Sequence, residues 1–145
     1  MLRNQLSAAV KNAAENLGYA FYEGFGYRMN EKSINFPAAW WAPPKIRSVH
    51  GRNEGFVIYR VELVLMAANR KYDEAAKNQI WDQLEEHALK IYSEIIDDQG
   101  VFCTDNITLT PAECSLTRQG ELSLKAEFDV KMSFIYISLL SRKSG

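Results

Sequence analysis

Residues 122–136, LSLKAEFDVKMSFIY, restrict this chain more than any other stretch. Leu122, Leu124, Ala126, Phe128, Val130, Met132, Phe134 and Tyr136 fall on every second position. Ser123, Lys125, Glu127, Asp129, Lys131 and Ser133 lie between them. Successive side chains of a strand point to opposite faces, so this is a long half-buried strand with one apolar and one charged face. An apolar sheet face needs a cover, and the amphipathic segment near residues 73–98 supplies one.

That segment begins at Asp73, a helix N-cap, and runs as EAAKNQIWDQLEEHALKIYSEIIDD to about Asp98, with Gly100 closing it. Ala76, Ile80, Leu84, His87, Ala88, Ile91 and Ile95 form its buried stripe, flanked by Trp81 and Tyr92. A first helix is expected over residues 2–17. Leu2, Leu6, Ala9, Val10, Ala13, Ala14 and Leu17 make its stripe, with Gly18 as C-cap. Its narrow, Ala-rich face suits close packing on a sheet or on a neighbouring subunit.

Three further strands are expected. In residues 33–48, SINFPAAWWAPPKIRS, Ile34, Phe36, Ala38 and Trp40 alternate with Asn35, Pro37, Ala39 and Trp41. Pro37 cannot donate a ladder hydrogen bond, so this reads as an edge strand or a strand start. Adjacent Trp40 and Trp41 then point to opposite faces, one to the core and one to the opposite surface. An exposed Trp on an edge strand marks a partner surface; the ordinary alternative is that a loop or the first helix covers it. FVIYRVELVLMAA, residues 56–68, is β-branched, with Val57, Tyr59, Val61, Leu63 and Leu65 on one face and a mixed second face. Apolar residues on both faces suit a central strand, or one whose second face is partly covered by another chain, with Arg60 and Glu62 placed to pair across neighbouring strands. Residues 101–117 form a hairpin with the organising strand through the turn Arg118-Gln119-Gly120-Glu121.

Two segments between these elements read as loops. Residues 19–33 carry Tyr19, Phe21, Tyr22, Phe25 and Tyr27, with at most one short strand. Residues 48–55, SVHGRNEG, read as a turn or flexible loop in which His50 lies beside Arg47 and Arg52. The polar end of the chain, residues 139–145, is expected to fray. The layout is α-β-β-α-β-β. With no repeat, linker or low-complexity segment, residues 1–145 form a single α+β domain. Its four main strands make a mostly antiparallel or mixed sheet with two helices packed on it.

Charge and motifs narrow the function. Seventeen basic and 18 acidic residues give a net charge of −1, which supplies no electrostatic case for nucleic acid or an anionic membrane. No run approaches the ~18 apolar residues of a membrane span, and the first residues lack the apolar core of a signal peptide. The chain is therefore expected inside the cell that makes it. Cys103 and Cys114 have no CxxC spacing and are read as reduced thiols. Glu85, Glu86 and His87 lack a second His or Cys at helical spacing, so no metal site is assigned. No GxGxxG, Walker, GxSxG or HExxH motif occurs. No catalytic residue and no cofactor is assigned, and an enzyme is not expected.

The order of elements resembles that of the small tail-terminator and tail-completion proteins of long-tailed bacteriophages and prophages. The likeness runs through INFPAAWWAPP, HGRNEG, FVIYRVELVLMA, IWDQLEEHALKIYSEI and ITLTPAECSLTRQGELSLKAEFDVKM. It implies a mixed sheet with helices packed on it. It also implies assembly as a homo-oligomeric ring, commonly a hexamer, that caps the tail tube and joins it to the head. Such a subunit would occupy the bacterial cytoplasm and then the virion, with tail-tube and head-connector proteins as partners. A ring needs two different interfaces on one chain. The strand 34–41, the aromatic loop and the loop 48–55 are the candidates, through Tyr22, Phe25, Tyr27, Trp40, Trp41, His50 and Arg52. The alternative is a small-ligand-binding or enzymatic domain with a pocket lined by Trp81, His87, Tyr92 and Tyr59.

Overall fold

The computed structural model describes residues 2–30, 33–70, 72–97, 101–113, 116–117 and 119–135. Two α-helices and six strands follow the order α1 (Leu2–Asn16), β1 (Ala20–Glu23), β2 (Ala38–Trp41), β3 (Lys45–Gly51), β4 (Glu54–Ala68), α2 (Glu74–Asp97), β5 (Val101–Glu113) and β6 (Glu121–Ile135). A 3-10 helix at Gly26–Asn30 lies between β1 and β2. The strands form one mixed sheet in the order β1-β2-β4-β6-β5, with β3 also paired to β4. Only β1 and β2 run parallel; every other pair is antiparallel. The fold is α+β, as expected, but the sheet has six strands rather than four. The two extra strands are β1, inside the aromatic loop, and β3, whose alternation is masked by charge and by the neighbouring prolines.

β4 and β6 form the spine. They pair without interruption from Glu54 opposite Ile135 to Ala68 opposite Glu121. Leu124, Ala126, Phe128, Val130 and Met132 are all buried on one face, together with Val57, Tyr59, Val61, Leu63 and Leu65, and Leu122 is buried at the start of the same strand. Both helices cover this face: α1 supplies Leu6, Val10, Ala13 and Ala14, and α2 supplies Leu84, Ala88, Ile91 and Ile95. Asp73 caps α2 by accepting a hydrogen bond from the Ala76 N–H at 2.8 Å. Gly18 follows α1 with φ +92°, the left-handed conformation that ends a helix readily only at glycine.

A second, smaller core lies on the opposite face. Met29, Ile34, Ala38, Trp40, Val64 and Met66 are buried there, with Tyr22, Phe36 and Leu116 packed against them. Gln119 ties this layer down, because its amide accepts from the Ile34 N–H at 3.0 Å and donates to the Ile34 carbonyl at 2.6 Å. The Glu121 carboxylate, fully buried, accepts from the Thr117 N–H at 2.7 Å and holds the turn into β6.

The two cores explain the tryptophan pair. Trp40 and Trp41 do point to opposite faces, but both are buried. Trp41 lies under α1 and donates its indole N–H to the Ser7 hydroxyl at 3.0 Å. Trp40 lies in the second core, donates to the Gly24 carbonyl at 2.8 Å and stacks on Tyr22. β2 is also not an edge strand, since β1 and β4 flank it. Pro37 precedes its first residue, and the Pro37 carbonyl accepts from the Ala20 N–H at 2.9 Å, so the missing N–H falls outside the ladder.

Candidate assembly surface

Pro43 and Pro44 separate β2 from β3. Neither has an N–H to give a ladder, yet the Ala42 N–H still donates to the Glu62 carbonyl at 3.2 Å. The chain therefore stays alongside β4 and resumes pairing at Lys45, opposite Arg60. β3 then runs to Gly51, opposite Gly55, and the turn leads straight into β4. Residues 48–55, expected as a turn or flexible loop, are thus the end of a β-hairpin, with its turn between Gly51 and Glu54. Glycine is required there by close approach: a Cβ on Gly55 would stand 1.8 Å from the His50 carbonyl oxygen. Gly51 has φ +97°, and a Cβ on it would stand 2.2 Å from the Glu54 carbonyl oxygen.

Six of the seven β3 residues are exposed, and Ser48 is half-buried. A bulge between Ile46 and Ser48 sets the facing. Ile46 and Val49 pair with Tyr59 and Val57, so they lie on the helix side of the sheet. There they remain 54% and 57% exposed. His50 faces the other way and stacks on Phe56, with the Lys131 ammonium 4.0 Å from the same ring. Arg47 reaches across β4 to pair with Asp129, which also accepts from Arg60 at 3.5 Å. Glu62 and Glu127 stand directly opposite each other, a repulsive pairing offset by Lys125 at 3.5 Å from Glu62 and Arg60 at 3.6 Å from Glu127. The open face above the second core is thus a ladder of alternating charge, each member matched within the chain.

Below β3, on the same side of β4, the chain leaves β1 with Phe25 and Tyr27. Their rings stack on each other, and the Arg28 guanidinium sits over Tyr27. Both rings stay open to solvent. Phe25 and Lys45 line one cavity of about 290 Å³ together with Pro43, Arg60, Glu62 and Glu127, so loop and hairpin adjoin.

The structure divides the seven residues singled out from the sequence. Phe25, Tyr27, His50 and Arg52 lie at the surface along this edge. Trp40 and Trp41 are core residues. Tyr22 is half-buried beside Trp40, and its hydroxyl accepts from the Asn35 N–H at 2.9 Å. Ile46 and Val49 were missed; the signal was the alternation after Pro44, obscured by Lys45 and Arg47. The four residues of the alternative pocket pack internally. Trp81 donates to the Ser123 carbonyl at 3.1 Å, Tyr92 meets Phe128 edge-on and Tyr19 bonds the His87 Nδ1. Tyr59 is buried in the main core.

A second cavity, about 310 Å³, lies between the first turn of α1 and Glu23, Trp41, Pro43 and Pro44. Among the described residues no group of three or more His, Cys, Asp or Glu side chains is placed to hold a metal ion. No helix there is long and apolar enough to cross a membrane. Cys103 lies in β5, and Cys114 is outside the described residues.

The molecule is a mixed-sheet α+β domain with two helices on one face and an exposed hairpin at one edge. No family model and no curated protein matches the chain in sequence.

Proposed function

We propose that the protein is a non-catalytic, self-assembling subunit of the kind its element order resembles: a phage or prophage tail terminator. In this reading it forms a ring, by family likeness a hexamer, that caps a tail tube and joins it to a head connector. It would be made in a bacterial cytoplasm and end in the virion. One observation carries the assembly part. Of the five large apolar side chains that remain exposed among the described residues, Phe25, Tyr27, Ile46 and Val49 lie along one edge of the sheet. Singly exposed apolar residues are ordinary, but four of them gathered along one sheet edge, two on each face, are what an interface would use. Aromatic side chains are enriched in such surfaces. The hydrogen bonds that Trp81 and His87 make within the chain add support, since a ligand site keeps some polar groups for its ligand.

The test is solution mass by light scattering across concentration and salt, on the parent chain and on an Ile46→Ser, Val49→Ser variant. The expected result is a ring-sized species for the parent and a shift to monomer for the variant, with little change in thermal stability because both positions are exposed. A parent chain that stays monomeric at every concentration, also after mixing with tail-tube protein, and that gains thermal stability from a small molecule would overturn the reading.

A further inference from the structure

The cavity beside Phe25 has a floor of charge. On it Lys45 stands directly opposite Arg60, and two positions further along β4 Glu62 stands directly opposite Glu127. Like charges facing each other across strands destabilise a sheet. The floor is therefore a step, a positive pair beside a negative one. Contacts within the chain answer only part of it. Arg60 reaches one oxygen of Glu127 at 3.6 Å, and Lys125 reaches one oxygen of Glu62 at 3.5 Å. The second oxygen of each carboxylate has no ion pair among the described residues, and neither has the Lys45 ammonium. Phe25 and Pro43 add an apolar wall to this space of about 290 Å³. Such a site suits a group that brings a cation and an anion close together, with an apolar stem to lie along the wall.

The other end of β3 displays such a group. The β3–β4 hairpin turns through Arg52, Asn53 and Glu54, all exposed. Arg52 and Glu54 are two positions apart, the same spacing as the step along β4, and neither makes an ion pair among the described residues. Backbone carbonyls crowd Gly51 and Gly55, so the turn closes tightly and carries both charges at the end of the hairpin.

Distance decides whose cavity the tip can fill. β3 runs from Lys45 at the cavity to Gly51 beside the tip. At about 3.3 Å per residue these lie roughly 20 Å apart. β3 is paired to β4 over that length, so the tip does not reach the cavity of its own molecule. A neighbour's cavity imposes no such limit. We infer that the hairpin tip of one copy docks in this cavity of a neighbouring copy, Arg52 against Glu62 and Glu127 with its stem on Phe25, and Glu54 against Lys45. Tip and cavity are different surfaces, so the contact is head-to-tail and generates a ring when the rotation closes. Seated in the cavity, these charges are screened by salt less than exposed pairs are. The inference rests on the self-assembly reading above and names one contact through which that reading operates.

The test uses the full chain in two charge-reversed forms. One carries Arg52→Glu and Glu54→Lys at the tip. The other carries Lys45→Glu and Glu62→Lys in the cavity. None of the four side chains belongs to either core, and Glu62→Lys places opposite charges across from each other at Glu127. Circular dichroism checks that the fold is kept. Solution mass across concentration is measured for each form alone, for an equal mixture of the two, and for a chain with all four changes. Each form alone should lose the ring-sized species, or need at least about thirtyfold more protein to reach it. The mixture should regain it, because each form's tip then meets a matching cavity, and so should the chain with all four changes. The tip form changes only the turn, so a ring that persists in it overturns the contact whether or not the cavity form folds, and leaves the ring to other surfaces. Loss of the ring in both forms, with no recovery in the mixture or in the chain with all four changes, overturns the pairing of tip with cavity. A parent chain that forms no ring, alone or with tail-tube protein, overturns the contact together with self-assembly.

Discussion

Tyr19 and His87 lie 68 positions apart, yet the phenol oxygen and Nδ1 are 2.7 Å apart. Burial pushes the Tyr19 phenol up to about 12 from its usual 10, so it stays protonated, and hydrogen-bonded to the ring nitrogen, across ordinary pH. A group whose folded pKa is raised stabilises the fold fully below its unfolded pKa and loses that contribution as pH climbs through the folded one. Stability should therefore fall between pH 10 and 12, by roughly 2–3 kcal/mol from this group. Tyr59, raised by burial and partly pulled back by Arg3, contributes in the same direction. Tyr19→Phe should flatten the alkaline fall in urea-melt stability. It should also cost about 1 kcal/mol at neutral pH through the lost hydrogen bond. The tryptophans make a second test at this scale. Trp40→Ala and Trp41→Ala should each destabilise by roughly 3–5 kcal/mol, because each empties a filled layer and removes an indole donor. Equal, severe losses at two adjacent positions would show in denaturant midpoints. They would set these residues apart from Phe25 and Tyr27, whose truncation should leave the midpoint nearly unchanged.

The β3–β4 hairpin behaves as an element with its own requirements. Its turn depends on glycine at two positions because backbone carbonyls stand where a Cβ would go. Gly55→Ala should open the hairpin end while the main core, built on β4 from Val57 onward, survives. The expected outcome is faster hydrogen exchange in residues 45–56 with an unchanged far-UV spectrum of the helices; uniform protection would contradict it. The charged ladder behind the hairpin does not replace that turn. Arg47 is largely exposed, and exposed ion pairs contribute about 0–1 kcal/mol. Cross-strand charges there fix which residues face each other, as the Glu62–Glu127 pair flanked by Lys125 and Arg60 does.

At the scale of the whole molecule, one sheet carries two unequal layers. The large core under α1 and α2 holds the domain together. The small core around Trp40 and Met66 covers the lower part of the opposite face and leaves the upper part to charge. Exposed apolar groups then collect where neither layer reaches, along the β1 and β3 side. The proposed assembly through Phe25, Tyr27, Ile46 and Val49 should depend weakly on salt, since apolar contacts are not screened. A ring that dissolved in moderate salt would instead point to the charged ladder as its contact.

The elements with long, unbroken periodicity are legible without any neighbour in view. Residues 122–136 and 56–68 alternate over enough positions to specify both strand and facing, and the 73–98 stripe specifies α2 with Asp73 at its cap. Periodicity is local, so it survives without knowledge of neighbours. The remaining features depend on packing between elements distant in sequence. Whether Trp40 met solvent depended on Met29 and Ile34 folding back over it, and whether β2 was an edge depended on β1 arriving alongside. β3 is seven residues long and exposed on both faces, so no pattern of burial marks it; its partner β4 makes it a strand. The candidate surface was legible in Phe25, Tyr27, His50 and Arg52. Ile46 and Val49 joined it only once the sheet placed them beyond the reach of either core.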